Sequence, residues 1–320
     1  MNKCRICSNS NSNEVYIAHE MMFDSRDPFE YFECSNCGCL QINDFPDNLS
    51  KYYPSGYVSF VKPKLPIFFF AVSFIRRQRL AYTLSEKSVS GFLFFLLFGP
   101  TSLPEWTKKT KLKPGSNILD VGCGVGRLLL KLRRKGFSNL HGIDPFIKND
   151  IFYKCGVEIL KKDMEGIDGE YDFIILHHSF EHMPNPLPVL QKLYSVLKPD
   201  SFVVIRIPTV SSFAWEKYKT NWFQLDAPRH FFLHSKKSME ILANKSGFRI
   251  TDIISDSKSN QFWKSEQYAH RSKSIDGRND KMNNDEIVFS DEEMRNFEEE
   301  TKRLNKINEG DQACFYLYKE

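Results

Sequence analysis

The chain has no long apolar run, no dominant sign of charge and no internal repeat, and each absence removes a class of function. A membrane-spanning helix takes roughly 20 apolar residues. The two longest apolar stretches of the 320 residues, Leu65 to Ile75 and Val89 to Phe98, reach only about half that length, so neither is expected to span a bilayer. Basic residues number 44 against 40 acidic ones, a formal net charge of +4. So near a balance gives no polyanion-binding surface by itself, and no nucleic-acid partner is expected. The opening MNKCRICSNS lacks the apolar run of a secretory signal or transit peptide, so a cytoplasmic location is expected. A composition of 41% hydrophobic and 26% charged residues is that of an ordinary globular protein. The length suits one main core with a smaller unit beside it, and nothing in the sequence reports the oligomeric state.

What is present begins with cysteine. Four of the eight cysteines form two CxxC pairs, Cys4/Cys7 and Cys34/Cys37, with 26 residues between the pairs. In a reducing compartment this favours metal ligation over a disulfide framework. Each pair holds two thiolates on a tight knuckle and two knuckles complete a tetrahedron, so structural zinc is expected, with Cys39 spare. Residues 1–48 are polar and rich in Asn and Ser, a candidate zinc-ribbon-like module. Residues 49–113 are aromatic-rich and broken by Pro54, Pro63, Pro66, Pro100 and Pro104, which predicts helices and loops that cover something. For Leu65 to Arg79 and Val89 to Phe98 two readings stand. One is buried covering helices, because a helix apolar all round is buried. The other is docking on the inner face of a membrane, aided by Arg76, Arg77 and Arg79.

From Asn117 the pattern alternates. The short apolar runs Ile118 to Val121, Leu140 to Ile143, Val157 to Leu160, Phe173 to Leu176 and Phe202 to Ile207 have the character of strands buried on both faces. Helices are predicted over Leu128 to Lys135, from Pro186 to about Lys198, and over Ser238 to Lys245, with a further strand over Arg249 to Ser255. Residues 114–320 therefore read as an α/β domain with a parallel sheet between helices. A polar insertion at about 258–310 holds a capping box, Ser290 with Glu293, that opens a charged helix to about Leu304. Ala313 to Tyr318 is expected to pair at an edge of the sheet.

The strongest chemical signal is Ile118-Leu-Asp-Val-Gly-Cys-Gly-Val-Gly126, a strand entering three alternating glycines and then a helix. Glycines at 122, 124 and 126 let backbone approach a ligand, and the helix N-terminus offers unpaired N–H groups. A dinucleotide fold prefers G-x-G-x-x-G, but position 127 is Arg, which disfavours NAD. LDVGCGVGR resembles the first motif of class I S-adenosylmethionine-dependent methyltransferases. That resemblance implies a doubly wound, mostly parallel, seven-stranded Rossmann-like sheet and assigns the donor site. Gly122, Cys123, Gly124 and Gly126 would form the loop, and Asp120 would support it and the donor's methionine end. Asp144, followed by Pro145, would hold the donor's ribose hydroxyls, and Asp163 and Met164 would meet its adenine. His177, His178, Glu181 and His182 form an H-x-x-E-H-like segment expected to line the site beside the sulfonium.

Beyond the fifth strand, Trp222, Asp226, Arg229 and His230, with Trp263, Glu266 and Tyr268 later, have the mixture of rings and charges found in a polar ligand pocket. These stretches, with GDQACFYL near the end, resemble bacterial methyltransferases found with surface-polysaccharide biosynthesis, a likeness that runs from Tyr52 onward. It implies methyl transfer to the oxygen or carbon of a free or lipid-linked sugar. His230 is the expected base, with His178 second and Glu181 beside them. Related sugar C-methyltransferases with an N-terminal CxxC module use a His in this region, though their local motif differs from the PRH found here. A non-catalytic adaptor built on the same fold, and an enzyme acting on RNA or protein, are the competing readings.

Overall fold

The computed structural model describes residues 2–53, 58–63, 73–84, 89–275 and 287–320. Its main sheet is built from strands whose successive side chains enter opposite cores. In β4 (Asn117–Val121), Leu119 packs into one core and Ile118 into the other; in β8 (Tyr171–His177), Ile174 and Phe173 divide in the same way. Each fully buried side chain of this size contributes about 1.5–3 kcal/mol, which explains the continuous apolar runs in these strands. β5 (Asn139–Ile143) and β8 flank β4 in parallel, followed outward by β7 (Val157–Leu160) and β9 (Leu197–Pro208). α4 (Arg127–Lys135) covers one face, while α5 (Pro186–Val196) and α7 (Lys236–Ser246) cover the other. The fold is doubly wound and Rossmann-like.

Two details differ from expectation. The sheet has eight strands rather than seven, in the order β11-β12-β9-β8-β4-β5-β7-β6. The extra one, β6 (Ile151–Tyr153), adds antiparallel to β7 and is too short to show a period in sequence. β12 (Gln312–Lys319) is not at the edge. It inserts antiparallel between β9 and β11 (Arg249–Ser255), and its buried run from Gln312 to Leu317 is the mark of an interior strand.

The cysteine segment forms its own sheet of β1 (Glu14–His19), β2 (Pro28–Glu33) and β3 (Leu40–Ile42). Its fourth strand is β10 (Phe232–Leu233), which comes from the α/β domain and pairs antiparallel with β3. Packing thus continues across the compositional break near residue 48.

The covering segment holds α1 (Ser73–Thr83), α2 (Val89–Phe98) and α3 (Trp106–Lys109). α2 matches the expected bounds but is not buried: Leu96 and Leu97 are 62% and 65% exposed, and only Gly91 is buried. Residues 65–72 of the preceding apolar run lie outside the described residues. In the insertion, α8 (Asn260–Ile275) precedes α9 (Asp291–Lys306), and α6 (Phe213–Tyr218) contacts α8. The capping box is formed in full, with the Ser290 hydroxyl accepting from the Glu293 amide at 3.2 Å and the Glu293 carboxylate accepting from the Ser290 amide at 2.7 Å.

Candidate active site

Strand order runs outward in both directions from β4, so the crevice beyond the strands' C-terminal ends is the place where this topology receives a ligand. A cavity of about 1210 Å³ opens there, and its lining joins two groups of residues far apart in sequence. Gly122, Asp144, Pro145, Asp163 and Met164 line one part; His178, His182, Asp226 and His230 line another.

The three glycines serve three different contacts. Gly122 has φ 71°, and a Cβ there would lie 2.4 Å from the Cβ of Ser179. A Cβ on Gly124 would meet the Ser59 carbonyl oxygen at 2.4 Å, because residues 58–60 cross the loop and that carbonyl accepts from the Val125 amide at 3.0 Å. Gly126 faces Ile159 and caps α4, away from the cavity. The Cys123 side chain turns inward against Gly142, and burial pushes its thiol well up.

Asp144 is held by backbone: Oδ2 accepts from the Gly124 amide and Oδ1 from the Phe146 amide, both at 2.8 Å. Each carboxylate oxygen retains acceptor capacity, so the pair can still receive two hydroxyls. Asp120 is buried and does not line the cavity. Burial and the charge of Asp144 push it up to about 8, and its Oδ1 has no hydrogen-bond partner.

At the other group, Glu181 is completely buried and neither carboxylate oxygen has a hydrogen-bond partner. His178 Nδ1 lies 3.4 Å away and His230 Nε2 3.9 Å away. Burial pushes Glu181 up, but His178, His182 and His230 outweigh it and hold the acid at about 2. His230 Nδ1 is 2.8 Å from the Gln224 carbonyl. A carbonyl only accepts, so Nδ1 carries the hydrogen and Nε2 presents a lone pair, 3.7 Å from Asp226. Burial lowers His230 to about 4, which keeps that nitrogen unprotonated at neutral pH. His182 is fixed in the same tautomer by the Arg229 carbonyl at 2.7 Å. His178 sits at φ 56° and contacts Arg206 at 2.6 Å through Nε2. His177 does not line the cavity; it lies against Arg206, and burial lowers it to about 3.

Several expected substrate ligands lie behind the cavity wall. Arg229 is fully buried between Asp226 at 2.6 Å and Glu20 at 2.8 Å, where it braces the loop that carries His230. Trp222 donates to Asp311 at 3.0 Å, and Glu266 accepts from Tyr218 at 2.7 Å. Trp263 and Tyr268 ride on α8 outside the lining. Tyr53, Phe60 and Phe223 do line the cavity, though no motif marked Tyr53 or Phe60, which belong to the aromatic covering segment.

Cys4, Cys7, Cys34 and Cys37 converge, with Sγ atoms 3.6 Å apart for Cys4 and Cys37 and 3.5 Å for Cys7 and Cys34. A tetrahedron of thiolates at about 2.3 Å from zinc has edges of about 3.8 Å, so the four sulfurs fit that ion. The Ile6 amide and Gln41 Nε2 point at Cys4 Sγ, and the Cys37 amide points at Cys34 Sγ, as donors toward thiolates do. Cys39 stands apart, 4.0 Å from His234.

A doubly wound sheet with a glycine loop and a carboxylate clamp at its strand ends defines a class I methyltransferase fold. Residues 98–253, just under half of the chain, match the family described as methyltransferase domain. It is 26% identical over 193 residues to phosphoethanolamine N-methyltransferase 1 of Arabidopsis thaliana, covering 56% of this chain and 38% of that protein. It is 29% identical over 109 residues to the mitochondrial ubiquinone biosynthesis O-methyltransferase of Saccharomyces cerevisiae, covering 29% of this chain and 33% of that one. The chain thus spans 38% and 33% of the length of these two relatives. Among solved structures, an S-adenosylmethionine-dependent methyltransferase from Archaeoglobus fulgidus superposes with a TM-score of 0.41 at 19% identity, covering 80% of this chain and all of that one.

Proposed function

We propose that the chain transfers a methyl group from S-adenosylmethionine to a hydroxyl of a sugar used in surface-glycan biosynthesis. The observation that supports this reading is the cavity that joins Gly122 and Asp144 to His178 and His230. The donor-side residues suit the nucleoside: Asp144 has spare acceptor capacity on both oxygens, while Asp163 and Met164 line the cavity beside it. When bound, S-adenosylmethionine supplies a methyl group already activated on positive sulfur. The chain's own work is then placement and proton removal. His230 Nε2 accepts the proton of the acceptor hydroxyl, and Glu181 and Asp226 stabilise the imidazolium that results. The rings of Tyr53, Phe60 and Phe223 offer flat apolar surface to a sugar ring. In this reading the four thiolates hold structural zinc.

An amine acceptor, as in the phosphoethanolamine relatives, is the second reading. It is favoured by the acidic side chain of Asp226 in the cavity wall, with Glu181 buried behind it. Labelled donor offered to pools of nucleotide sugars, lipid-linked sugars, phosphoethanolamine, RNA and protein separates these readings. The proposal expects label in a sugar pool only. Label confined to phosphoethanolamine would establish the amine reading, label in RNA or protein would overturn both, and no label anywhere would favour the adaptor.

A further inference from the structure

The covering segment leaves an apolar helix in water beside a concentration of positive charge. α2 reads VSGFLFFLLF, and Val89, Phe92, Leu93, Leu96, Leu97 and Phe98 are all exposed. Scattered exposed leucines are ordinary, but a contiguous patch rimmed by charge marks an interaction surface. No described helix is long and apolar enough to cross a membrane, and α2 at 10 residues would sink into a bilayer without spanning it.

The rim is basic. α1, which packs on α2, and α4, which packs on α1, together with α2 itself carry eight basic residues and no acidic one. Arg76, Arg79, Arg134 and Lys135 line a cleft of about 280 Å³ closed by residues 100–102, which follow the C-terminus of α2. Arg79 ties the helices together by donating to the carbonyls of Phe98 and Gly99, both at 2.9 Å. Burial lowers the pKa of Arg76, and the neighbouring charges of Arg134 and Arg79 lower it further. An apolar helix that anchors and a basic collar that meets phosphates are the two signals needed for stable interfacial binding.

We propose that α1 and α2 dock the protein on an anionic phospholipid bilayer, with α2 among the acyl chains and the four cleft cations against lipid phosphates. Charge complementarity favours this occupant over a second copy of the chain, since two such collars would repel one another.

The full chain is sedimented with vesicles of equal parts phosphatidylglycerol and phosphatidylcholine, with vesicles of phosphatidylcholine alone, and without lipid. The expected result is binding to the anionic vesicles that weakens at least about tenfold on phosphatidylcholine alone. L93Q/L96Q/L97Q is expected to lose binding by at least about tenfold as well. All three leucines face water, so this variant keeps its fold, which calorimetry with S-adenosylmethionine verifies separately from lipid binding. Protein that stays in the supernatant with anionic vesicles overturns the proposal, as does a triple variant that binds like the parent. A lipid-free dimer that the triple variant dissociates, with no vesicle binding, assigns the face to a second copy and overturns it too.

Discussion

His230 donates from Nδ1 to the Gln224 carbonyl and turns an unprotonated Nε2 toward Asp226 and Glu181. His230→Ala is therefore expected to lower kcat by about a hundredfold or more while leaving donor binding near that of the parent. Calorimetry with the donor beside the rate assay tests this; equal losses in both would mean that the residue only holds the fold. Because burial lowers His230 to about 4, the acid limb of kcat/KM should lie well below the 6.5 of an ordinary imidazole. Stability follows the same groups. His177, His230 and His234 are lowered by burial to about 3, 4 and 3, so on acidification below about 6.5 the unfolded chain takes up protons that the folded chain does not. Stability should fall as pH drops from 6.5 toward 4. Asp120 works in the opposite sense: raised from 3.8 to about 8 by burial and by Asp144, it keeps a proton in the folded state, and its contribution declines as pH rises toward 8. Asp120→Asn, neutral at every pH, should remove that decline from a melting-temperature profile between about pH 4 and 8. An unchanged slope would contradict the assignment.

The strand β10 belongs by chain to the α/β domain and by pairing to the cysteine sheet, and it directly follows Arg229 and His230. Tyr31 of that sheet donates to the His230 carbonyl at 2.8 Å, and Glu20 grips Arg229. If the four thiolates hold zinc as proposed, removing the ion, or making Cys34→Ser, is expected to cost activity and not only stability. Even a displacement of about 1 Å at His230 would lower kcat by about a hundredfold. Metal analysis and rate measured along a chelator titration check this; full activity in metal-free protein would contradict it. This coupling was invisible in sequence, because β10 is two residues long and its partner lies far away along the chain. The parallel strands and α4 were legible, since burial on both faces writes itself as unbroken apolar runs. The donor side was legible too, because close backbone approach demands glycine at fixed spacing. The acceptor side was less so: Arg229 and Trp222 have a pocket's composition, yet their charge and N–H are consumed in bracing the loop. Exposure of α2 contradicts the rule that an apolar helix is buried, and the lipid proposal gives a reason for the exception.

Across the whole molecule two separate packing problems meet at one cavity. The doubly wound sheet places the glycine loop and Asp144 at its strand ends, and the cysteine sheet fixes the loop that carries His230. Among the described residues, α1 and α2 lie outside both arrangements and supply the basic and apolar face. The central proposal is that this cavity holds S-adenosylmethionine against Asp144. Titration calorimetry of the folded chain tests it most directly, with S-adenosylmethionine and its demethylated product as ligands and Asp144→Ala as control. Saturable heat is predicted with both ligands, weakened at least about tenfold in the variant, since both ribose hydroxyls lose a charged acceptor. Absence of heat with either ligand on a protein that melts cooperatively would contradict the claim.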